Sequence, residues 1–438
     1  DIDLRMPMVG RPVDDRLHVV PLQQLPVILV DVGRPAKRGL RRLGMFQIGV
    51  AHGHNVAQLG CLLRDRHPAA SHADQADIRS IVGRLELRSR RLGRRQPIRS
   101  GSNQRRLTCQ VKESAIETVF IGGGTPTILP TGLLLALLDA IRKNFSLSAQ
   151  AEISIEANPG TVTRESLTRL LHAGINRISL GIQSLNDLEL CMLGRRYRQS
   201  VARQAVLSAK EAGFDNLSID LIYGIPGQTP ETWRQTLEET LGQAPQHLSC
   251  YQMTIEDGTP YAGMMERGEI ALPGEEDIEM MDEMTVELCR SAGLRHYEIS
   301  NFARSGRECR HNINYWRNGD YYAVGSGAVS CIAGRRQRRI EDPVAYCRTV
   351  ENGRSPVIEE ENLDRESSFR ESVVIGMRML DGVCRADLVD RYGIDVQDYY
   401  GGLLGRLQGG GLIELSPTHL RLTDDGRRVA NTVLAELV

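Results

Sequence analysis

No two of the nine cysteines in this 438-residue chain lie close enough together to form a local metal clip. They stand at 61, 109, 191, 250, 289, 309, 331, 347 and 384, and the closest pair, Cys331 and Cys347, is 16 positions apart. A zinc ribbon or an iron–sulfur site built on a C-x-x-C type repeat is therefore not visible. Long apolar runs are missing too. LPVILV and LLLALL fall far short of the ~18 residues that span a bilayer. The opening DIDLRMPMVG has no basic segment followed by an apolar one, so no secretory signal is expected. That also makes a disulfide framework a poor reading for a chain of this length. These absences lead to the expectation of a cytoplasmic protein with no membrane span.

What is present is ordinary globular composition, 41% apolar and 25% charged, over a length that suits two or three domains. The net charge of −1 hides an asymmetry. Residues 1–110 carry 19 Arg and 1 Lys against 8 Asp and 1 Glu, a net of +11, and the remainder carries −12. Between Arg79 and Arg106 there are ten Arg and a single acid, Glu86. Such a run could bind nucleic acid or an acidic surface, or could be solvated and poorly ordered. The abrupt change near residue 110 raises a third reading, that residues 1–110 are not a native N-terminal sequence. PVILVDV in this stretch reads as a strand.

From Ile116 the pattern becomes regular. ETVFIGGG reads as strand and turn, and TGLLLALLDAIRKNF places Leu134, Leu137, Leu138 and Ile141 on one helical face. AEISIEANPG, RISLGIQS, NLSIDLIYGIPG, HLSCYQMTI and HYEISNF read as further strands. RESLTRLLHAG reads as a helix stopped by Gly174. Thr229 fits an N-cap and Pro230 the first helical position, with Trp233, Leu237 and Leu241 as the buried stripe. Strand–helix alternation over about 190 residues predicts a parallel sheet with outer helices. Ligands in such folds lie at the C-terminal ends of the strands. From Asp364, helices followed by the hairpin GLIELSPTHLRLTDDG predict a small winged-helix-like module. It lacks a basic stripe, so a structural or lid role is favoured over nucleic-acid binding.

The chemistry-bearing residues fall at the strand ends. Gly122, Gly123, Gly124 and Thr125 follow a strand and precede a helix, where a glycine turn lets backbone approach a ligand and a helix N-terminus favours anions. Glu156, Gln183, Arg195 and Asp220 lie on or after successive strand ends. A carboxylate there can accept from ribose hydroxyls or an amino group, and Arg can pair with a carboxylate. HNINYW at 311–316 sets His311 beside aromatic residues, with Tyr321 and Tyr322 near in sequence. Imidazole is a common haem ligand and aromatics suit a flat macrocycle.

The segments GGGTPT (122–127), SIEANPG (154–160), LGIQS (180–184), LGRRY (193–197), DLIYGIPGQ (220–228), YQMTIEDGTP (251–260) and CRHNINYWRNGDY (309–321) occur in one order. Together they resemble the oxygen-independent coproporphyrinogen III oxidase-like proteins of the radical S-adenosylmethionine superfamily, nearest its haem-chaperone branch. The resemblance covers about residues 116–435. It implies an α/β fold, a partial TIM-like (β/α)6 barrel over 111–350 and a small α-rich, winged-helix-like domain over 364–438, with 1–110 atypical. It implies S-adenosylmethionine contacts through the 122–125 turn, with Glu156, Gln183, Arg195 and Asp220 lining that site, and His311 as haem ligand. It also implies a [4Fe–4S] cluster, haem-accepting partner proteins, and leaves homodimerisation open. The family's C-x-x-x-C-x-x-C motif and its first strand are absent upstream of Gly122, where only Cys61 and Cys109 occur. Val329, in GSGAVS, stands where the family usually has His. As written, the chain is expected to lack the cluster. A non-native 1–110 segment is the preferred explanation, a degenerate homologue the other. Oxidative decarboxylation of coproporphyrinogen III and Arg-driven nucleic-acid binding are the competing functions, the first requiring the cluster and the second not favoured.

Overall fold

The computed structural model describes residues 28–32, 115–256 and 258–438. The Arg-rich run at 79–106, Cys61 and Cys109 lie outside the described residues. The chain divides into two compact units, one of residues up to Ser154 with Arg310–Val438, the other Ile155–Cys309.

In the first unit, Ile28–Val32 forms strand β1, as the apolar run predicts, and pairs antiparallel with β2, Ala115–Ile121. Ile116, Val119 and Ile121 of β2 are buried. The helix Thr131–Asn144 buries Leu134, Leu137, Leu138 and Ile141, the face its 3.6-residue spacing predicts. Strand β3, Ser146–Ala157, then carries the chain into the second unit.

The second unit alternates strands and helices. Strands β4 (Arg177–Gln183), β5 (Leu217–Tyr223) and β6 (His247–Gln252) are parallel neighbours. They are buried along nearly their whole length, as strands covered on both faces must be. The helices between them start on the predicted signals. Thr163 and Thr229 each close a reciprocal capping box, and Pro230 occupies the first turn. Gly174 has φ +93°, the left-handed stop expected there. Trp233 and Leu237 are buried, whereas Leu241 is only half-buried and Thr240 takes the inward position. HYEISNF differs from the predicted single strand. It folds as a hairpin of β7 (Arg295–Glu298) and β8 (Asn301–Ala303), with β8 antiparallel to β6. The break follows from Glu298, whose carboxylate accepts the N–H of Ser300 at 3.1 Å and turns the chain.

Back in the first unit, β9 (Tyr322–Val324) pairs antiparallel with β1. Strands β10 (Val329–Ile332), β11 (Arg335–Arg339) and β12 (Val357–Asn362) form an antiparallel sheet. Arg336–Glu361 and Arg338–Glu359 pair across its register at 3.0 Å each. The C-terminal region has the helices-then-hairpin order read from the sequence. Helices Arg365–Gly376, Arg385–Tyr392, Val396–Tyr400 and Gly402–Gly409 precede β14 (Ile413–Leu415) and β15 (His419–Leu422). A short strand β13, Val383–Cys384, joins β15 from the other side. Phe369, Val373, Leu388, Leu404, Leu420 and Val433 are among its core residues. No helix among the described residues is long and apolar enough to cross a membrane.

Two glycines of this region should respond oppositely to a methyl group. Gly382 has φ +74°, and an added Cβ would stand 2.1 Å from the Leu420 carbonyl oxygen. Gly405 lies exposed inside a helix with nothing within 4 Å. Urea unfolding should show Gly382→Ala losing about 2–4 kcal/mol. Gly405→Ala should gain about 0.5–1 kcal/mol. Equal effects of the two would contradict this packing.

Candidate functional site

His311 sits on the helix Arg310–Trp316, seven residues long. So short a helix has little stability of its own. A strand side chain supplies what is missing. Glu152, itself only 7% exposed, accepts the backbone N–H of Arg310 at 3.1 Å and of His311 at 3.3 Å. These are donors that a helix start leaves unpaired, and a carboxylate suits that end electrostatically. Arg310 adds a second anchor, reaching Glu117 at 2.7 Å and the Gln150 carbonyl at 2.9 Å.

Thus held, the His311 ring is 1% exposed. Its Nδ1 lies 2.7 Å from the Thr118 hydroxyl. One face stacks on Phe120 at 5.0 Å, and Tyr315 meets it edge-on at 5.3 Å. Tyr315 in turn meets Tyr321 at 4.9 Å. The aromatic surroundings expected from HNINYW are therefore present, with Phe120 added from β2. Burial raises the Tyr315 hydroxyl well above its ordinary range and keeps it neutral. The helix is fixed at its far end as well. The Arg391 guanidinium donates to the carbonyls of Arg317 and Asn318 at 2.8 and 2.6 Å, and Arg378 lies over the Trp316 ring at 4.5 Å.

The glycine turn is formed, with φ +84° at Gly123 and +48° at Gly124. Gly122 and Gly123 are buried, Gly124 is exposed and Thr125 half-buried. One expectation is corrected. A 3-10 turn, Pro126–Ile128, follows, and the α-helix begins only at Thr131 after Pro130. The glycines therefore do not abut an α-helix N-terminus, because Pro126 and Pro130 together remove two N–H donors and delay the helix.

In the second unit, Glu156 and Gln183 fall at strand ends as predicted, whereas Asp220 lies in the middle of β5 and Arg195 follows the short helix Asp187–Met192. Glu156 is half-buried near the end of β3. Asp220 is enclosed by hydroxyls. Ser179 donates to both its oxygens at 3.0 and 2.9 Å and Ser218 to one at 3.2 Å. Loss of water raises its pKa, and hydrogen bonds from Ser249, Ser179 and Ser218 and the charge of Arg177 act the other way. Gln183 is different. It ends β4 with φ +68°, is 5% exposed, and its Oε1 has no partner. The Arg195 Nε is likewise buried without a partner. Nearby, Tyr197 donates to the Gly181 carbonyl at 2.8 Å, and burial pushes its hydroxyl up to about 12 while the Arg195 charge acts oppositely. Asp220, Glu298 and Glu156 all raise the Tyr251 hydroxyl electrostatically, secondary to its burial, so the Glu156 and Asp220 charges reach one common group.

Sequence reasoning missed Thr118, Glu152 and Arg310 around His311, and Ser179, Ser218 and Ser249 around Asp220. The Ser218–Asp220 spacing was a usable signal, since residues two apart share a strand face. The partners of His311 come from strands 159 and 193 positions away, and no local pattern marks them. Among the described residues no three His, Cys, Asp or Glu side chains are placed to hold a metal ion.

Comparison with known proteins gives consistent findings. The Radical SAM superfamily model matches residues 103–240 and the HemN C-terminal domain model matches 363–429. The Heme chaperone HemW of Lactococcus lactis is 33% identical over 323 residues, 74% of this chain and 85% of that protein. The HemW of Synechocystis is 38% identical over 275 residues, covering 62% and 67%. The mitochondrial radical S-adenosyl methionine domain-containing protein 1 of Danio rerio is 31% identical over 342 residues, covering 74% and 76%. The structure of Escherichia coli HemN, a coproporphyrinogen III oxidase, superposes with a TM-score of 0.65 at 23% identity, over 75% of this chain and 79% of that one. The fold expectation, a partial α/β barrel with a helical C-terminal domain, is borne out by that superposition.

His247 supplies a pH test of the second unit. Its Nδ1 lies 2.8 Å from the Ser218 hydroxyl and its Nε2 2.8 Å from that of Tyr297. Burial first, and the Arg177 charge second, hold its pKa well below the usual value. The unfolded chain then binds a proton that the folded chain refuses. This contribution is complete above the unfolded pKa of about 6.5 and is lost as pH falls, by up to ~1.4 kcal/mol per pH unit. Urea unfolding between pH 7.5 and 5.5 should show this loss, and His247→Gln should flatten the slope. An identical slope in the variant would refute the assignment.

Proposed function

The chain belongs to the HemW-like haem-chaperone family of the radical SAM superfamily, and from that premise we propose that it binds haem through the helix Arg310–Trp316 and passes it to acceptor proteins. The observation that carries the reading is the His311 seat, where an imidazole on an anchored helix lies against Phe120 and Tyr315, with Tyr321 behind Tyr315. Nδ1 meets the Thr118 hydroxyl, so iron would be taken at Nε2. At 1% exposure the ring must shift outward to reach a macrocycle, so binding includes a local rearrangement of this helix.

S-adenosylmethionine fits the second unit's polar set. Glu156, Gln183, Arg195 and Asp220 would hold its polar groups, and the unpartnered Gln183 Oε1 and Arg195 Nε support that assignment. Gly122, Gly123, Gly124 and Thr125 retain their expected role toward the methionine part by resemblance. When bound to a reduced cluster, S-adenosylmethionine supplies a carbon radical. A cluster needs three thiolates, and the described residues offer no such group, while Cys61 and Cys109 lie outside them.

Titration with ferric haem, followed at the Soret band, tests the proposal. The wild-type chain should bind stoichiometrically. His311→Ala should weaken binding by roughly tenfold or more and shift the band. A variant titration superimposable on wild type would remove His311 from the ligand set.

A further inference from the structure

The left-handed backbone of Gln183 raises a question that the nucleoside reading leaves open, namely what holds a non-glycine residue there. Such a conformation costs on the order of 1 kcal/mol or more and persists only where neighbours over-determine it. The adjoining residues show how. The Ser184 hydroxyl donates to Glu189 Oε2 at 2.5 Å and accepts the Asn186 N–H at 2.9 Å. Glu189, 5% exposed, also accepts from Gln228 Nε2 at 3.1 Å. Gln228, 3% exposed, accepts the N–H groups of Gly224 and Ile225 at 2.7 and 3.3 Å. The turn after β4 is thereby tied to the turn after β5 through two buried side chains.

The polarity of this chain is fixed. Gln228 must turn its oxygen to the two backbone donors, so its NH2 faces residue 189, which must be an acceptor. Gln183 is confined on its other side as well. A Cβ on Gly181 would stand 2.7 Å from Asn158 Oδ1 and 2.8 Å from Gln183 Nε2, so only glycine leaves room for that amide.

We propose that Glu189 and Gln228 are positioning residues for a nucleoside site, holding the ends of β4 and β5 so that the carboxamide of Gln183 is presented in advance to an adenosine-bearing ligand. This rests on the S-adenosylmethionine reading and adds two residues that touch no ligand. Preorganisation of this kind shows as affinity, since the free protein has already met the ordering cost.

The probe is S-adenosylhomocysteine, which carries the nucleoside and the amino acid and needs no cluster. Its affinity is measured by calorimetry on the full chain, with hydrogen exchange at the Gly224 and Ile225 amides as a second readout. In Glu189→Leu the Ser184 hydroxyl and the Gln228 NH2 lose their shared acceptor, and in Gln228→Glu two carboxylates face each other. Each should bind about tenfold more weakly and exchange those amides faster. Glu189→Gln, whose amide oxygen can take the Oε2 place and accept from both Ser184 and Gln228, should stay within about threefold of wild type. Glu189→Leu and Gln228→Glu variants that bind like wild type, or a Glu189→Gln variant no better than they are, would overturn the proposal while leaving the nucleoside reading intact. Weakened binding in those two with unchanged amide exchange would overturn it too. A wild-type chain that does not bind the probe would instead remove the nucleoside reading, and this proposal with it.

Discussion

A single buried carboxylate, Glu152, holds the short helix that carries His311. Its two oxygens take the N–H groups that begin the helix Arg310–Trp316. A seven-residue helix could not persist on its own hydrogen bonds. A buried charge is costly unless it is well satisfied, and here the helix start satisfies it. The position of His311 follows from that tie. The ring lands on Thr118 and Phe120 of β2, and Tyr315 closes over it one turn later.

The second unit distinguishes two ways of burying polar groups. Asp220 receives hydroxyl donors that partly offset its desolvation. Gln183, at the end of β4, and Arg195, after the helix Asp187–Met192, instead keep buried polar atoms without partners. The Gln183 backbone is strained as well, and tertiary contacts maintain it against the residue's own preference.

Much of this was legible in the linear sequence, for identifiable reasons. Helix faces such as Leu134, Leu137, Leu138 and Ile141, and caps such as Thr229 with Pro230, depend on neighbours three or four positions away, and they folded as read. The ordered motifs carried the family and the partial barrel. What escaped depended on distance or on small local competitions. Nothing near His311 announces Thr118 or Glu152. A side-chain bond from Glu298 to the Ser300 N–H broke one expected strand into a hairpin. Two prolines separated the glycine turn from its helix. Leu241 yielded its inward position to Thr240, a drift of one residue in the helical stripe.

The central claim is that haem engages the anchored His311 helix, and hydrogen exchange with and without haem tests it most directly. Haem should change exchange over residues 310–318 and over β2 near Thr118 and Phe120, because the ring cannot meet iron without leaving its present seat. Bound haem with exchange unchanged in both segments, and altered elsewhere, would contradict the account.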